Sequence, residues 1–90
     1  MTIYELGDML NENLQIKRYA NQGKRHTASF ERVEIKESES DPILRGEYGE
    51  GETPKEAIED YVQKIKGKFI VVNASGDCRK AIIAPKTLTA

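Results

Sequence analysis

Ile3, Leu6 and Leu10 recur at helical spacing near the start of the chain, with Asp8 and Glu12 off that face. The spacing predicts a short amphipathic helix from Ile3 to Leu10 or Asn11. Thr2 and Glu5 stand three apart, as a capping box requires, and Asn11 tolerates the left-handed conformation that ends a helix. From Leu14 the period drops to two. Leu14, Ile16 and Ala20 share one face, and Gln15, Lys17 and Tyr19 share the other, which predicts a strand to Ala20. Asn21-Gln-Gly23 is turn chemistry. A second strand is predicted from Arg25 to about Lys36, but its pattern slips. Ala28 and Phe30 lie on one parity and Val33 and Ile35 on the other, so a β-bulge near Glu31-Arg32 is needed to bring both pairs to one side.

Glu37 to Pro42 reads as an acidic loop, and Ile43 to Tyr48 as a third strand with Gly46 marking a bulge or a close approach. Gly49-Glu-Gly51 reads as a turn. The second helix is the clearest element. Thr53 caps it, Pro54 takes its first position, Glu56 has the spacing of a second capping box, and Gly67 stops it. Ile58, Tyr61, Val62 and Ile65 form its apolar face. Acidic residues come early and lysines late, as the helix dipole prefers. These local terms together are worth about 2–3 kcal/mol. Lys68 to Ala74 is a strand of the buried type through Phe69-Ile-Val-Val72, Ser75-Gly-Asp77 turns the chain, and Arg79 to Ile83 can return as an extra C-terminal strand before Pro85.

The expected architecture is therefore α+β in the order α-β-β-β-α-β, an antiparallel meander covered on one face by two helices. Residues 1–84 are expected to form one domain, with residues 85–90 a loose C-terminal tail. A chain of 90 residues makes one domain at most and buries only roughly 60% of the surface it exposes when unfolded. Hydrophobic residues at 38% and charged residues at 32% are an ordinary globular balance. No apolar run approaches the length of a membrane span. With one cysteine, Cys78, and no export signal at the start, a reducing, cytoplasmic setting is expected.

The net charge of −1 conceals alternating blocks. Residues 13–36 hold six basic groups against two acidic, residues 37–60 nine acidic against two basic, and residues 61–90 six basic against one acidic. This makes a polar molecule rather than a general polyanion binder. Candidate chemistry is sparse. His26 is the single histidine, so it and Cys78 cannot build a metal site alone. No activating signature surrounds Cys78. Glu47, Glu50 and Glu52 cluster near Gly49 and Gly51 without the spacing of a calcium loop. We expect no catalytic residues, no metal, no cofactor and no enzymatic activity. Lys17, Arg18, Lys24 and Arg25 form the one local basic concentration, with Tyr19 and His26 interleaved. Lys17, Lys24, Arg25, His26 and Lys55 are the candidates for contact with nucleic acid or another anion. Gln15, Lys17, Tyr19, Arg45 and Glu47 are the candidates for an open, polar sheet face. A protein partner, no membrane, and a homodimer through an edge, either the second strand or Arg79 to Ile83, complete the expectations.

Gly23-Lys-Arg-His26 followed by Thr-Ala-Ser-Phe30 resembles the first β-turn of the double-stranded-RNA-binding domain, and Gly49-Glu-Gly51-Glu-Thr53 resembles that family's turn into its second helix. The likeness covers about residues 3–66. It implies an α-β-β-β-α fold and duplex RNA as a ligand. The family opens that helix with a lysine cluster, whereas this chain keeps only Lys55 beside Glu56, Glu59 and Asp60. Gly51-Glu-Thr-Pro-Lys-Glu-Ala-Ile is also similar to the Gly-x-Thr-x-x-Glu-Ala segment of HicB-type antitoxin domains, which implies partner binding. The whole chain resembles small phage and prophage proteins of Gram-positive bacteria, which implies an accessory binder. The reading favoured is a small non-enzymatic binding protein acting through protein–protein contacts, ahead of duplex RNA binding.

Overall fold

The computed structural model describes residues 1–20, 23, 25–74, 76 and 79–90. The class is α+β, and the element order α-β-β-β-β-α-β-β is consistent with the expected α-β-β-β-α-β layout and its returning C-terminal strand. Helix α1 spans Ile3–Leu10 and helix α2 spans Pro54–Ile65. The strands are β1 Leu14–Arg18, β2 His26–Phe30, β3 Val33–Lys36, β4 Gly49–Gly51, β5 Phe69–Val72 and β6 Lys80–Ile83. They form two antiparallel sheets of three strands, ordered β1-β2-β4 and β3-β5-β6.

Helix α1 has the caps its sequence predicts. The Thr2 hydroxyl accepts the Glu5 N–H at 3.2 Å, the Glu5 carboxylate accepts the Thr2 N–H at 2.9 Å, and Asn11 ends the helix at φ 54°. Helix α2 buries Ala57, Ile58, Tyr61, Val62 and Ile65, and Thr53 caps it. The second capping box does not close. The Glu56 carboxylate reaches one residue further back and accepts the Glu52 N–H at 2.9 Å.

The parity slip in the second strand has a different solution from a bulge within one sheet. Arg32 takes a left-handed conformation, φ 55°, and the strand divides there into β2 and β3, one in each sheet. Ala28 and Phe30 of β2 and Val33 and Ile35 of β3 thereby all enter one core with Ile3, Leu6 and Leu10 of α1, the buried face of α2, and Ile70 and Val72 of β5. This single core holds the two sheets and both helices together.

Two further expectations are corrected. The third strand does not run from Ile43 to Tyr48. Ile43 and Tyr48 are exposed, Arg45 makes a single bridge to Ile35, and the regular strand is Gly49–Gly51. The cause is close packing. A Cβ on Gly49 would lie 2.1 Å from the Ala57 carbonyl oxygen and 2.3 Å from the Tyr61 nitrogen, so only glycine lets β4 lie this near α2. The C-terminal tail is not loose. Leu88 is 4% exposed within the core, the Ile3 N–H donates to the Thr89 carbonyl at 2.7 Å, and the Thr89 N–H donates to the Met1 carbonyl at 3.0 Å. The tail supplies an acceptor to an otherwise unpaired donor in the first turn of α1.

Candidate functional site

The sheet registers determine which candidate residues meet. In the first sheet Leu14, Ile16 and Arg18 oppose Phe30, Ala28 and His26, while Gln15 and Lys17 oppose Ser29 and Thr27. Thr27 in turn opposes Glu50. Gln15, Lys17, Thr27, Ser29 and Glu50 therefore share the face turned away from the core, and Tyr19 continues it through the Tyr19 N–H to Arg25 carbonyl bond of 2.7 Å. Arg45 is not on that face. Both its backbone groups pair with Ile35 at 2.9 Å, beside β3 in the other sheet. Glu47, whose carboxylate accepts the Tyr48 N–H at 3.2 Å, lies in the connection from there to β4. The expected single open face of Gln15, Tyr19, Arg45 and Glu47 is thus split, because the meander divides into two sheets, Arg45 bridges to β3 in the second, and Glu47 lies in no strand.

The basic hairpin reaches the start of α2. His26 Nδ1 lies 3.0 Å from the Glu52 carbonyl oxygen, an acceptor, so Nδ1 carries the proton and donates. Arg25 and Lys17 are exposed, and Lys24 lies outside the described residues. Lys55, in the first turn of α2, is exposed and stands 4.0 Å from the Glu59 carboxylate. The surface beside it is acidic, formed by Glu50, Glu52, Glu56, Glu59 and Asp60. The structure brings Arg25 and His26 together near Glu52, and it leaves Lys55 among carboxylates. Phosphates approaching the helix start would meet net negative charge.

Further along, Lys64 Nζ lies 3.1 Å from an Asp60 carboxylate oxygen and 5.6 Å from the centre of the Tyr48 ring, and it donates to the Tyr48 carbonyl at 3.0 Å. Partial burial pulls the Lys64 pKa down. The hydrogen bond and charge of Asp60, with Glu47 and Glu50 nearby, outweigh it and hold the ammonium above the usual lysine value. This cluster braces α2 against the connection into β4.

The four sheet edges differ in how they are closed. Carboxylates take the outward N–H groups at the edge of β4, that of Glu50 by Asp60 at 2.9 Å and, just past the strand, that of Glu52 by Glu56 at 2.9 Å. The outer edge of β3 is occupied at Ile35 by Arg45. The edge of β1 has no partner among the described residues, and it carries Gln15, Lys17 and Tyr19 on its outer side and Ile16, 43% exposed, on the other. The fourth edge, β6, is likewise without a partner among the described residues. The Ala84 N–H bond to the Lys68 carbonyl, 2.9 Å, sets the alternation, so Lys80 and Ile82 bond inward to β5, and the backbone groups of Ala81 and Ile83 point outward. Among the described residues none takes them.

The face of the second sheet turned from the core was not foreseen as a surface. There Phe69 opposes Ile83 and Val71 opposes Ala81, whereas Ile70 and Val72 enter the core. Val71 is closed off, Phe69 is half-buried, Ala81 is exposed and Ile83 is 59% exposed. The signal was present in Phe69-Ile-Val-Val72, apolar at both parities, which marks a strand with apolar surroundings on both sides. Among the described residues no three histidine, cysteine, aspartate or glutamate side chains group as a metal site, and no helix is long and apolar enough to cross a membrane. Cys78 lies outside the described residues. No family model, curated protein or solved structure matches the chain.

Proposed function

We propose that the chain is a non-enzymatic accessory protein that works by binding another protein. The observation that carries this reading is the apolar strip of the second sheet's outer face, Phe69, Ala81 and Ile83, lying on the β6 side of that face, away from Glu34 and Lys36 of β3. A small domain that leaves an isoleucine 59% exposed next to backbone groups that no described residue takes has a surface that a partner can cover. Such a partner accords with the likeness to phage and prophage accessory proteins and to HicB-type partner binding.

Duplex RNA is the second reading. It is favoured by the His26 to Glu52 contact, which holds the basic hairpin beside the start of α2. Carboxylates from Glu52, Glu56 and Glu59 oppose it. Capture from a lysate with and without nuclease, using the native chain and Ile83→Glu, separates the two. The protein reading expects a nuclease-resistant partner that Ile83→Glu loses. Capture that nuclease abolishes, or that Ile83→Glu leaves intact, counts against it. Steeply salt-dependent duplex binding that weakens on substitution of Arg25 and Lys17 would support the RNA reading.

A further inference from the structure

We infer that β6 receives an extended segment of another protein as an added antiparallel strand, and that this segment is apolar in the middle and acidic at both ends. The inference rests on the protein-binding reading above and names the chemistry of the partner.

Of the other three edges, carboxylates cover that of β4 and the Arg45 bridge that of β3, and the edge of β1, unpartnered among the described residues like that of β6, offers a polar outer side. A strand laid along β1 would meet Gln15, Lys17 and Tyr19 on its outer side. One laid along β6 meets apolar side chains on both sides: Ile82, which packs against the core, on one, and Ala81 and Ile83, continuous with Phe69, on the other. The outward backbone groups of Ala81 and Ile83 give main-chain bonds, and the alternate side chains give selectivity, which is the logic of strand addition.

Charge identifies the ends. Arg79 and Lys80 precede the apolar stretch Ala81-Ile-Ile-Ala84, and Lys86 follows it. All three are exposed, and none makes an ion pair with a described residue. Residues 61–90 carry six basic groups against one acidic. A second copy of the chain would bring the same cations together across the new pair of strands, where like charges disfavour pairing. Carboxylates at each end of an incoming strand would meet opposite charge at both.

The test uses the full chain and two capped peptides, Ser-Glu-Glu-Val-Thr-Ile-Thr-Glu-Glu-Ser and its counterpart with lysine at the four glutamate positions. Binding is read by fluorescence anisotropy, and strand addition by amide exchange protection at Ala81 and Ile83. The acidic peptide should bind at least about tenfold tighter than the lysine peptide. The double reversal Arg79→Glu with Lys80→Glu should invert that order. Both positions are exposed, so the fold should persist, checked by circular dichroism. Ala81→Pro, at an outward N–H, should weaken the acidic peptide without moving the unfolding midpoint far. Equal binding of both peptides, binding of neither, an order the reversal does not change, or a dimer in sedimentation that Ala81→Pro abolishes would each overturn the inference. If the peptides fail while the nuclease-resistant partner of the native chain persists, strand addition falls and the protein-binding reading stands. If that capture fails too, both fall.

Discussion

Arg32 and Asn73 face each other across β3 and β5 with the same left-handed backbone, φ 55° and 53°, and the Asn73 N–H donates to the Arg32 carbonyl at 3.1 Å. The pair closes the ladder in which Val33 opposes Val72, and it lies where one strand passes from the first sheet to the second. Asparagine occupies such a conformation readily, and arginine does so at a cost of about 1–2 kcal/mol. Arg32 also reaches Glu12, whose side chain is only 3% exposed, at 3.5 Å. Replacing Arg32 removes that contact whatever is put in, so the informative comparison is between two replacements. Arg32→Val should be less stable than Arg32→Asn by about 1–2 kcal/mol, because a β-branched side chain resists positive φ. Urea unfolding midpoints at unchanged slope measure it. Equal midpoints would mean that the backbone at this junction is not held left-handed.

Tyr61 couples the fold to alkaline pH. Its hydroxyl oxygen accepts the Phe30 N–H at 3.1 Å, and the two rings meet edge to face at 5.8 Å. Burial, against the bond from Phe30 and with Glu47 nearby, pushes the Tyr61 pKa from 10.0 up to about 12. The folded state therefore keeps the phenol proton more tightly than the unfolded chain does. Stability from this group is fully present below pH 10 and is lost between about pH 10 and 12, on the order of 2–3 kcal/mol. Tyr61→Phe leaves the Phe30 N–H without its acceptor and should cost about 1–3 kcal/mol at neutral pH. Its deficit relative to the native chain should shrink as pH rises across that window, as urea titrations at stepped pH would show. A constant deficit would show that Tyr61 does not titrate in the folded state at a raised pKa.

Gly49 and Gly46 lie three residues apart and should respond oppositely to alanine. A Cβ on Gly49 would strike the backbone of Ala57 and Tyr61, and one on Gly46 would meet nothing within 4 Å. Gly49→Ala should destabilise by about 2 kcal/mol or more, since α2 must move off β4. Gly46→Ala should stay within about 0.5 kcal/mol of the native chain. Thermal unfolding of both variants distinguishes these outcomes.

The elements with strong local chemistry were readable from the residues. Thr2 with Glu5 and Thr53 with Pro54 mark both helix starts, and the spacing of Ile58, Tyr61, Val62 and Ile65 marks the buried face of α2. The parity slip between Phe30 and Val33 located the discontinuity at Glu31-Arg32, but nothing local says whether a slipped strand bulges within one sheet or crosses to another. That depends on β5, which supplies Val72 and Ile70 as partners more than thirty residues later. Gly49-Glu-Gly51 has the composition of a turn, and its role as a strand follows from its pairing with β2 while it lies close against α2. The candidate site was less legible still. Arg25 and His26 were recognisable by type, but the acidic surroundings of Lys55 and the open edge at Ala81 and Ile83 arise from how distant elements pack.

The last five residues show how far a short tail can matter to a domain of this size. Leu88 is buried in the same core as Ile3, Leu6 and Leu10 of α1, and Thr89 bridges Thr2 while its carbonyl accepts the Ile3 N–H. Leu88→Ala should therefore cost about 2–3 kcal/mol through lost burial and the cavity it leaves. Ending the chain after Pro85 should cost more, because the Ile3 donor also loses its partner and α1 loses the bridge beside its cap. For a chain of 90 residues, whose total stability is on the order of 5–10 kcal/mol, that is a large share. Amide exchange should then show α1 opening first, at Ile3 and Leu6, with β5 still protected. Unchanged exchange in α1 after truncation would mean that the tail only covers the core and does not hold the helix.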